Sequence, residues 1–114
     1  MTSTDGQGMS PLDYHVLLAL ASEPLYGYAI TEAVERESDG AVVPRAGTLY
    51  RVLARMVSWG FVEERDGLEG EAHPGRPRRW YGLTPDGRTA LAEEARRLGE
   101  VAELAMQRLG TGRP

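Results

Sequence analysis

Apolar residues recur at helical spacing through the first third of the chain. Ser10 and Pro11 form the cap and first position of a helix, and Asp13 stands three residues after the cap, as in a capping box. The apolar positions that follow predict a first helix over 11–22: Leu12, Val16, Leu17, Leu20 and Ala21. A second helix over 26–38 is predicted by a further set at this spacing: Tyr26, Ile30, Ala33 and Val34.

A third helix is predicted over 44–59 and has two unlike faces. At about 100° per residue, one set of apolar positions shares a single arc: Leu49, Val52, Leu53, Met56 and Val57. A small, polar and cationic set lies roughly 150° away: Thr48, Arg51, Arg55 and Ser58. One face of this helix therefore belongs to the core, and the other presents hydrogen-bond donors outward.

After Gly60 the period of the pattern changes from helical to alternating, which is typical of strands. Residues 61–65 and 78–83 are predicted as two strands, and the segment between them is rich in glycine and proline. These segments make a hairpin with a long tip. Thr84 and Pro85 repeat the helix-start signal, and a last helix extends to about Leu109 before Gly110.

The last helix carries a heptad pattern of apolar and small residues: Leu91, Ala95, Leu98, Ala102, Ala105 and Leu109. Three short helices and a hairpin are too small to cover a terminal helix of this length. We therefore interpret it as a dimerisation helix whose alanines allow close approach of a partner helix. The alternative is a helix folded back on its own domain, which would need a narrower apolar stripe.

Composition restricts the class of protein. The chain has 114 residues, enough for one ordinary domain. It has no cysteine and only two histidines, which argues against disulfides, thiolate chemistry and imidazole metal centres, so we expect no cofactor and no metal. No long apolar run marks a membrane span and no signal peptide is recognisable, so we expect a cytoplasmic protein without a membrane partner.

Charge changes this picture in one place. The net charge is −4, which by itself argues against a nucleic-acid partner. Residues 42–88 nevertheless carry a balance of +2, whereas the rest of the chain carries −6. All 13 basic residues are arginines, so an anion-binding site here would use a planar, bidentate donor. A basic middle segment between acidic ends is able to present one positive face.

The order of elements predicts a mainly α fold with a small β-hairpin. We interpret residues 10–83 as a winged helix-turn-helix domain and 84–109 as the dimerisation helix, with a disordered tail at 1–9 and a tail at 110–114. In such a domain the recognition helix needs outward donors for base edges and phosphates. The hairpin tip needs glycines for close approach and cations for phosphate. The third helix and the hairpin have these residue types.

Five segments resemble, in order and spacing, the PadR family of winged-helix transcriptional regulators: LYGYAI at 25–30, GTLYRVL at 47–53, GFV at 60–62, RRWY at 78–81 and LTPDG at 83–87. The resemblance covers 10–109 and is closest to the compact subclass with one C-terminal helix. It implies a homodimer that binds an inverted-repeat operator, usually represses, and is released by a small molecule. The chain departs from the family at Ala46, where many members have proline. It also lacks the last-helix tryptophan with which some members bind flat aromatic drugs.

The candidate DNA contacts come from the third helix and the hairpin: Arg45, Gly47, Thr48, Tyr50, Arg51, Arg55, Arg76, Arg78 and Arg79. The resemblance implies this role for Thr48, Tyr50 and Arg51 and for the two arginines that leave the wing. The alternatives are a solvated charged face for the arginines and plain packing for Tyr50. Tyr14 and His15 are candidates for lining an effector cavity. Five other large aromatic residues are expected in the core: Tyr26, Tyr28, Trp59, Trp80 and Tyr81.

These residues favour a DNA-binding regulator over an enzyme. The paired carboxylates at 69 and 71 and at 93 and 94 lie beside no nucleophile or metal-ligand set, so catalysis is not expected. The expected partners are a double-stranded DNA operator, a second copy of the chain and a small-molecule effector. One alternative is a winged-helix protein-interaction module without DNA activity, which the net acidity favours. Another is an activator in place of a repressor.

Overall fold

Four helices and three short strands make up the fold. The computed structural model describes residues 8–66 and 79–110. Their elements follow one another along the chain: α1 (Pro11–Ala19), β1 (Leu25–Tyr26), α2 (Gly27–Glu37), α3 (Ala46–Ser58), β2 (Val62–Asp66), β3 (Arg79–Leu83) and α4 (Pro85–Leu109). This order confirms the predicted fold class. Residues 1–7, 67–78 and 111–114 lie outside the described residues, and with them most of the two predicted tails and the hairpin tip.

The predicted capping box starts α1. The Ser10 hydroxyl accepts a hydrogen bond from the Asp13 N–H at 3.0 Å, and the Asp13 carboxylate accepts one from the Ser10 N–H at 3.1 Å. The helix ends at Ala19, three residues earlier than predicted. There the Leu20 and Ala21 N–H groups bond to carbonyls three residues back, which tightens the chain before Pro24.

The sheet has the strand order β1-β3-β2 and is antiparallel throughout. β2 and β3 form the predicted hairpin, in which Val62 pairs with Leu83 and Asp66 pairs with Arg79. β1 was not predicted, because an alternating pattern cannot be recognised in two residues. It pairs Leu25 with Tyr81 and thereby ties the start of α2 to the base of the hairpin.

The core lies where the apolar faces of α1, α2 and α3 meet the sheet. Four of the five residues of the predicted inner face of α3 are 4% exposed or less, namely Leu49, Val52, Leu53 and Met56. The fifth, Val57, is half-buried and packs against the core. Burial of side chains of this size stabilises the fold by about 1.5–3 kcal/mol each, so α3 is held firmly. Among the five aromatic residues expected in the core, Trp80 and Tyr81 are buried and Tyr26 and Trp59 are half-buried. The expectation was wrong for Tyr28, which is 66% exposed.

The first turn of α4 is fastened to the end of α3 and the hairpin. The Thr84 hydroxyl accepts from the Gly87 N–H at 3.0 Å and donates to the Gly60 carbonyl at 2.6 Å. Gly87 is buried against the Phe61 carbonyl. Ala90 and Leu91 still pack on the core, but the rest of the helix leaves it. Within the described residues, no helix is both long and apolar enough to cross a membrane.

Candidate nucleic-acid interface

The N-terminus of α3 is open and positive. Its N-cap is Arg45, and within the described residues it has neither a side-chain cap nor an acidic residue in its first turn. α1 and α4, by contrast, have both a hydroxyl cap and a first-turn aspartate. The first N–H groups of a helix have no partner inside the helix, and the helix dipole adds about half a positive charge there. The exposed Arg45 side chain has no ion-pair partner among the described residues and adds a full charge.

Arg51 folds back over this first turn. Its Nη2 donates to the Thr48 hydroxyl at 3.3 Å, and its Nη1 lies 3.9 Å from the place where a Cβ on Gly47 would be. The structure thus brings together three of the predicted contact residues. Arg51 is exposed and, among the described residues, is paired with no carboxylate. Its guanidinium is available to an anion or a base edge.

Tyr50 joins α3 to the start of α2. Its hydroxyl lies directly against Gly27, the first residue of α2, and its Cζ is 3.1 Å from where a Cβ on Gly27 would be. Tyr50 is 48% exposed, and the hydroxyl end of its ring lies beside the α2 N-terminus. The first turn of α2 also has no acidic residue. A side chain of α3 therefore contacts the first residue of α2, and the two helices share one face here.

Sequence reasoning missed Gly27 and Tyr28 as members of this face. Tyr28 follows Gly27 in the first turn of α2 and is exposed. A signal was present, because two residues at 100° place Tyr28 about 200° from the buried Ile30. The requirement for glycine at 27 had no local signal, since the contact comes from a residue 23 positions further along the chain.

The base of the hairpin adjoins the same face. Arg79 is exposed, and its Nε lies 3.8 Å from the Glu64 carboxylate. Burial raises the pKa of the Tyr81 hydroxyl above its ordinary value of 10.0; Arg79 opposes this shift and Glu64 adds to it. The Tyr50 hydroxyl is close enough to raise this pKa as well. The predicted contacts Arg76 and Arg78 lie outside the described residues.

Arg55 is placed differently from Arg51. Its guanidinium donates to the Asp13 carboxylate on α1, and it lies 5.3 Å above the centre of the Trp59 ring. Asp13 is only 4% exposed. The structure therefore does not bring Arg55 into the group formed by Thr48 and Arg51, although its side chain remains 40% exposed.

The other predicted residues lie on α1 and α4. Tyr14 and His15 pack edge to face with ring centres 5.9 Å apart; both are half-buried, and the buried His15 Nδ1 has no hydrogen-bond partner among the described residues. On α4 the predicted seam is half-buried at Leu91 and exposed at its other members: Ala95, Leu98, Ala102, Ala105 and Leu109. Three more apolar side chains beside this seam are 42–52% exposed: Val101, Leu104 and Met106.

Comparison with known proteins identifies relatives of the chain. The model of the transcriptional regulator PadR-like family matches residues 16–93. The chain is 38% identical to the transcriptional regulator Rv3488 of Mycobacterium tuberculosis over 91 residues, 77% of this chain and 76% of that protein. A 37.1 kDa uncharacterized protein of a Streptomyces fradiae transposon is also 38% identical over 87 residues, and the chain spans 23% of its length.

Solved structures share the fold. A PadR family transcription regulator from Clostridium difficile has a TM-score of 0.73 and 23% identity, over 88% of this chain and 99% of that one. PadR of Bacillus subtilis, solved in complex with operator DNA, has a TM-score of 0.64 and 24% identity, over 75% of this chain and 47% of that one. The matched family consists of transcriptional regulators and not of enzymes, in agreement with the sequence prediction. The chain belongs to the PadR-like family of transcriptional regulators.

Proposed function

We propose that the chain is a sequence-specific DNA-binding repressor that acts as a homodimer on an inverted-repeat operator and responds to a small ligand. The observation that carries this proposal is the N-terminus of α3. Arg45, Arg51 and an uncapped helix end concentrate positive potential at the surface, and neither arginine forms an ion pair with a described carboxylate. Such an arrangement is unfavourable in the free protein and is completed by an anion. The operator complex of Bacillus subtilis PadR supports DNA as that anion.

In this proposal α3 enters the major groove and the first turns of α2 and α3 contact phosphates. The Tyr50 hydroxyl, beside Gly27, would donate a hydrogen bond to a phosphate that also accepts hydrogen bonds from the N–H groups at the α2 N-terminus. Arg79 and the neighbouring hairpin arginines at 76 and 78 would contact the flanking backbone. These contacts position the protein but do not read the sequence of bases.

Base reading is assigned to Arg51. Its guanidinium is the planar donor that pairs with the O6 and N7 atoms of guanine, and Thr48 holds it at 3.3 Å over the first turn. Arg51→Ala is expected to weaken operator binding by about 1–3 kcal/mol, the usual magnitude for one bidentate base contact. Unchanged operator affinity in this variant would remove Arg51 from the site.

The dimer is assigned to α4. At 25 residues this helix is about 37 Å long, and its apolar side chains are exposed over its last turns. A dimer that binds successive major grooves needs its two recognition helices about 34 Å apart, one helical turn of DNA, and we assign this spacing to the pairing of two α4 helices. Sedimentation at micromolar concentration tests this directly. A species of 12.5 kDa across that range would contradict the dimer.

A ligand would act on the dimer and not on the reading side chains. It would shift operator affinity only by its different affinity for the bound and unbound arrangements of the two domains. Tyr14 and His15, on the α1 helix that α4 packs against, are the candidates to line its site. Variants of these two residues should change the response to the ligand and leave operator affinity alone.

The deciding experiment is a gel shift with the DNA upstream of the protein's own gene, at two salt concentrations and with nonspecific competitor. Arg51→Ala is compared with Arg36→Ala, which removes the same charge from the last turn of α2. A competitor-resistant band that Arg51→Ala weakens and Arg36→Ala leaves intact supports the proposal. Failure to bind this fragment and random genomic fragments would favour the protein-interaction module.

A further inference from the structure

One carboxylate stands apart from the other charged groups. Asp13 is the charged residue that the fold buries among the described part of the chain. Both of its oxygens are used: Oδ2 accepts from the Ser10 N–H at 3.1 Å, and Oδ1 accepts from Arg55 Nη2. The capping box needs only the first of these bonds. The second joins α1 to α3 across 42 positions of sequence.

Arg55 is held on two sides. Besides Asp13, its guanidinium faces the Trp59 ring, which in turn packs edge-on against Phe61 with ring centres 5.9 Å apart. Arg55 also lies one helical turn after Arg51, so the two side chains leave neighbouring turns of one helix. A change in the position of α3 relative to α1 would therefore move the Arg51 guanidinium.

The energetics oppose a role for Arg55 on DNA. If Arg55 turned to a phosphate, the Asp13 carboxylate would stay buried without a cation, and an unpaired buried charge is strongly unfavourable. Arg51 carries no such penalty, because its partner is the neutral hydroxyl of Thr48. Binding of Arg55 to DNA would thus leave a buried carboxylate unpaired, whereas binding of Arg51 would leave only a neutral hydroxyl.

We infer that Arg55 is a positioning residue that does not touch DNA. Through its ion pair with Asp13 it sets the position of α3 relative to α1, and so the position of the Arg51 guanidinium. This inference replaces the DNA contact expected for Arg55 from the sequence, and it rests on the proposed function. It assigns Asp13 a second role beyond helix capping. Specific operator binding, which depends on the reach of Arg51, is the property that the pair controls.

Asp13→Asn is the discriminating variant, because the two possible roles of Arg55 predict opposite changes in its operator affinity. Asparagine keeps an oxygen for the Ser10 N–H but no charge for Arg55. If Arg55 is a positioning residue, operator affinity falls about tenfold, within the range for loss of one base contact. If Arg55 binds phosphate, Asp13→Asn releases the guanidinium and operator binding becomes tighter. Tighter binding would overturn the inference.

Arg55→Gln supplies a second readout through salt. Operator affinity should again fall about tenfold, while its salt dependence and the affinity for random DNA stay as in the parent protein. Loss of a phosphate contact would instead lower the salt slope by about 0.9 per contact. The Asp13→Asn, Arg55→Gln double variant should bind no more weakly than either single variant, because both changes break one pair. A lowered slope, or additive losses, would also overturn the inference.

The controls separate folding and the proposed function from the inference. Helix content and the thermal midpoint show which variants are folded; if Asp13→Asn is not, the salt slope of Arg55→Gln decides alone. Arg55→Lys, which keeps a cation for Asp13, should restore part of the specific affinity. Absence of any DNA binding by the parent protein would refute the proposed function. DNA binding by the parent with unchanged affinity in both variants would refute only the inference.

Discussion

Gly27→Ala tests whether the contact between Tyr50 and the start of α2 serves DNA binding. A Cβ at position 27 would overlap the Tyr50 hydroxyl oxygen and lie 3.1 Å from the Tyr50 Cζ. The atoms in the way belong to the far end of a side chain that is 48% exposed. The ring is therefore free to swing outward, and the backbone of α2 is expected to stay in place.

The expected magnitudes separate folding from binding. Replacing a helical glycine with alanine contributes up to about 1 kcal/mol of stability, which offsets the packing that the displaced ring loses, so the free energy of unfolding should change by less than about 1 kcal/mol. A hydrogen bond to a charged group is worth about 1.5–3 kcal/mol. If the Tyr50 hydroxyl binds a phosphate, Gly27→Ala should weaken operator binding about 10- to 150-fold for each domain that makes this contact.

Fluorescence anisotropy with a labelled operator measures this loss, and urea unfolding measures stability. Tyr50→Phe is the matched control, because it removes the hydroxyl and leaves α2 untouched. It should lose a similar affinity, and Gly27→Ala should add little in the Tyr50→Phe background. Parent-like affinity in Gly27→Ala, or a loss of several kcal/mol of stability, would refute the reasoning.

Three further changes probe other parts of the structure. Gly87→Ala places a Cβ against the Phe61 carbonyl and should lower the free energy of unfolding by about 3 kcal/mol. Gly99 on the same helix has no heavy atom near its Cβ position, so Gly99→Ala should raise the free energy of unfolding by about 0.5–1 kcal/mol. Urea unfolding measures both changes. Because the pKa of Tyr81 is raised in the folded state, its contribution to stability is complete below pH 10.0 and is lost as the pH rises through the pKa of the folded state. The urea midpoint should therefore fall less steeply at alkaline pH in Tyr81→Phe than in the parent protein. Arg45→Ser supplies a cap to α3 and should raise the free energy of unfolding by about 1 kcal/mol while weakening operator binding in the anisotropy assay.

Sequence patterns predicted the elements whose signals are local. The start of α1, the inner face of α3 and the end of α4 at Gly110 follow from caps, periodicity and a left-handed glycine, and all three are as expected. The strand β1 depends on pairing with β3, a distant segment, and no local pattern records that pairing, so β1 was missed. The end of α1 was misplaced by three residues, because the periodic pattern does not show the local bonds to carbonyls three residues back that end the helix at Ala19.

The positions of the candidate site residues were predictable in part, for the same reason. Helical phase placed Thr48 and Arg51 on one outward face, where the structure has them in contact. Phase alone placed Arg55 on that face too, because a helical wheel contains no information about other helices. The partner that draws it away, Asp13, appeared in the sequence only as part of a capping box. Its burial is a tertiary property that local patterns do not contain.

Helix capping distinguishes the ends that support the fold from the ends assigned to DNA. α1 and α4 have hydroxyl caps and first-turn aspartates, whereas α2 and α3 have neither among the described residues. A cap contributes about 1 kcal/mol and a first-turn acid about 0.3–1 kcal/mol. The fold therefore forgoes roughly 1–2 kcal/mol at each open end, a sizeable share of the 5–15 kcal/mol typical of a domain. Tyr50, in the second turn of α3, contacts Gly27, the first residue of α2. Under the proposed function, a row of phosphates along this surface would satisfy both open ends and recover this free energy on binding.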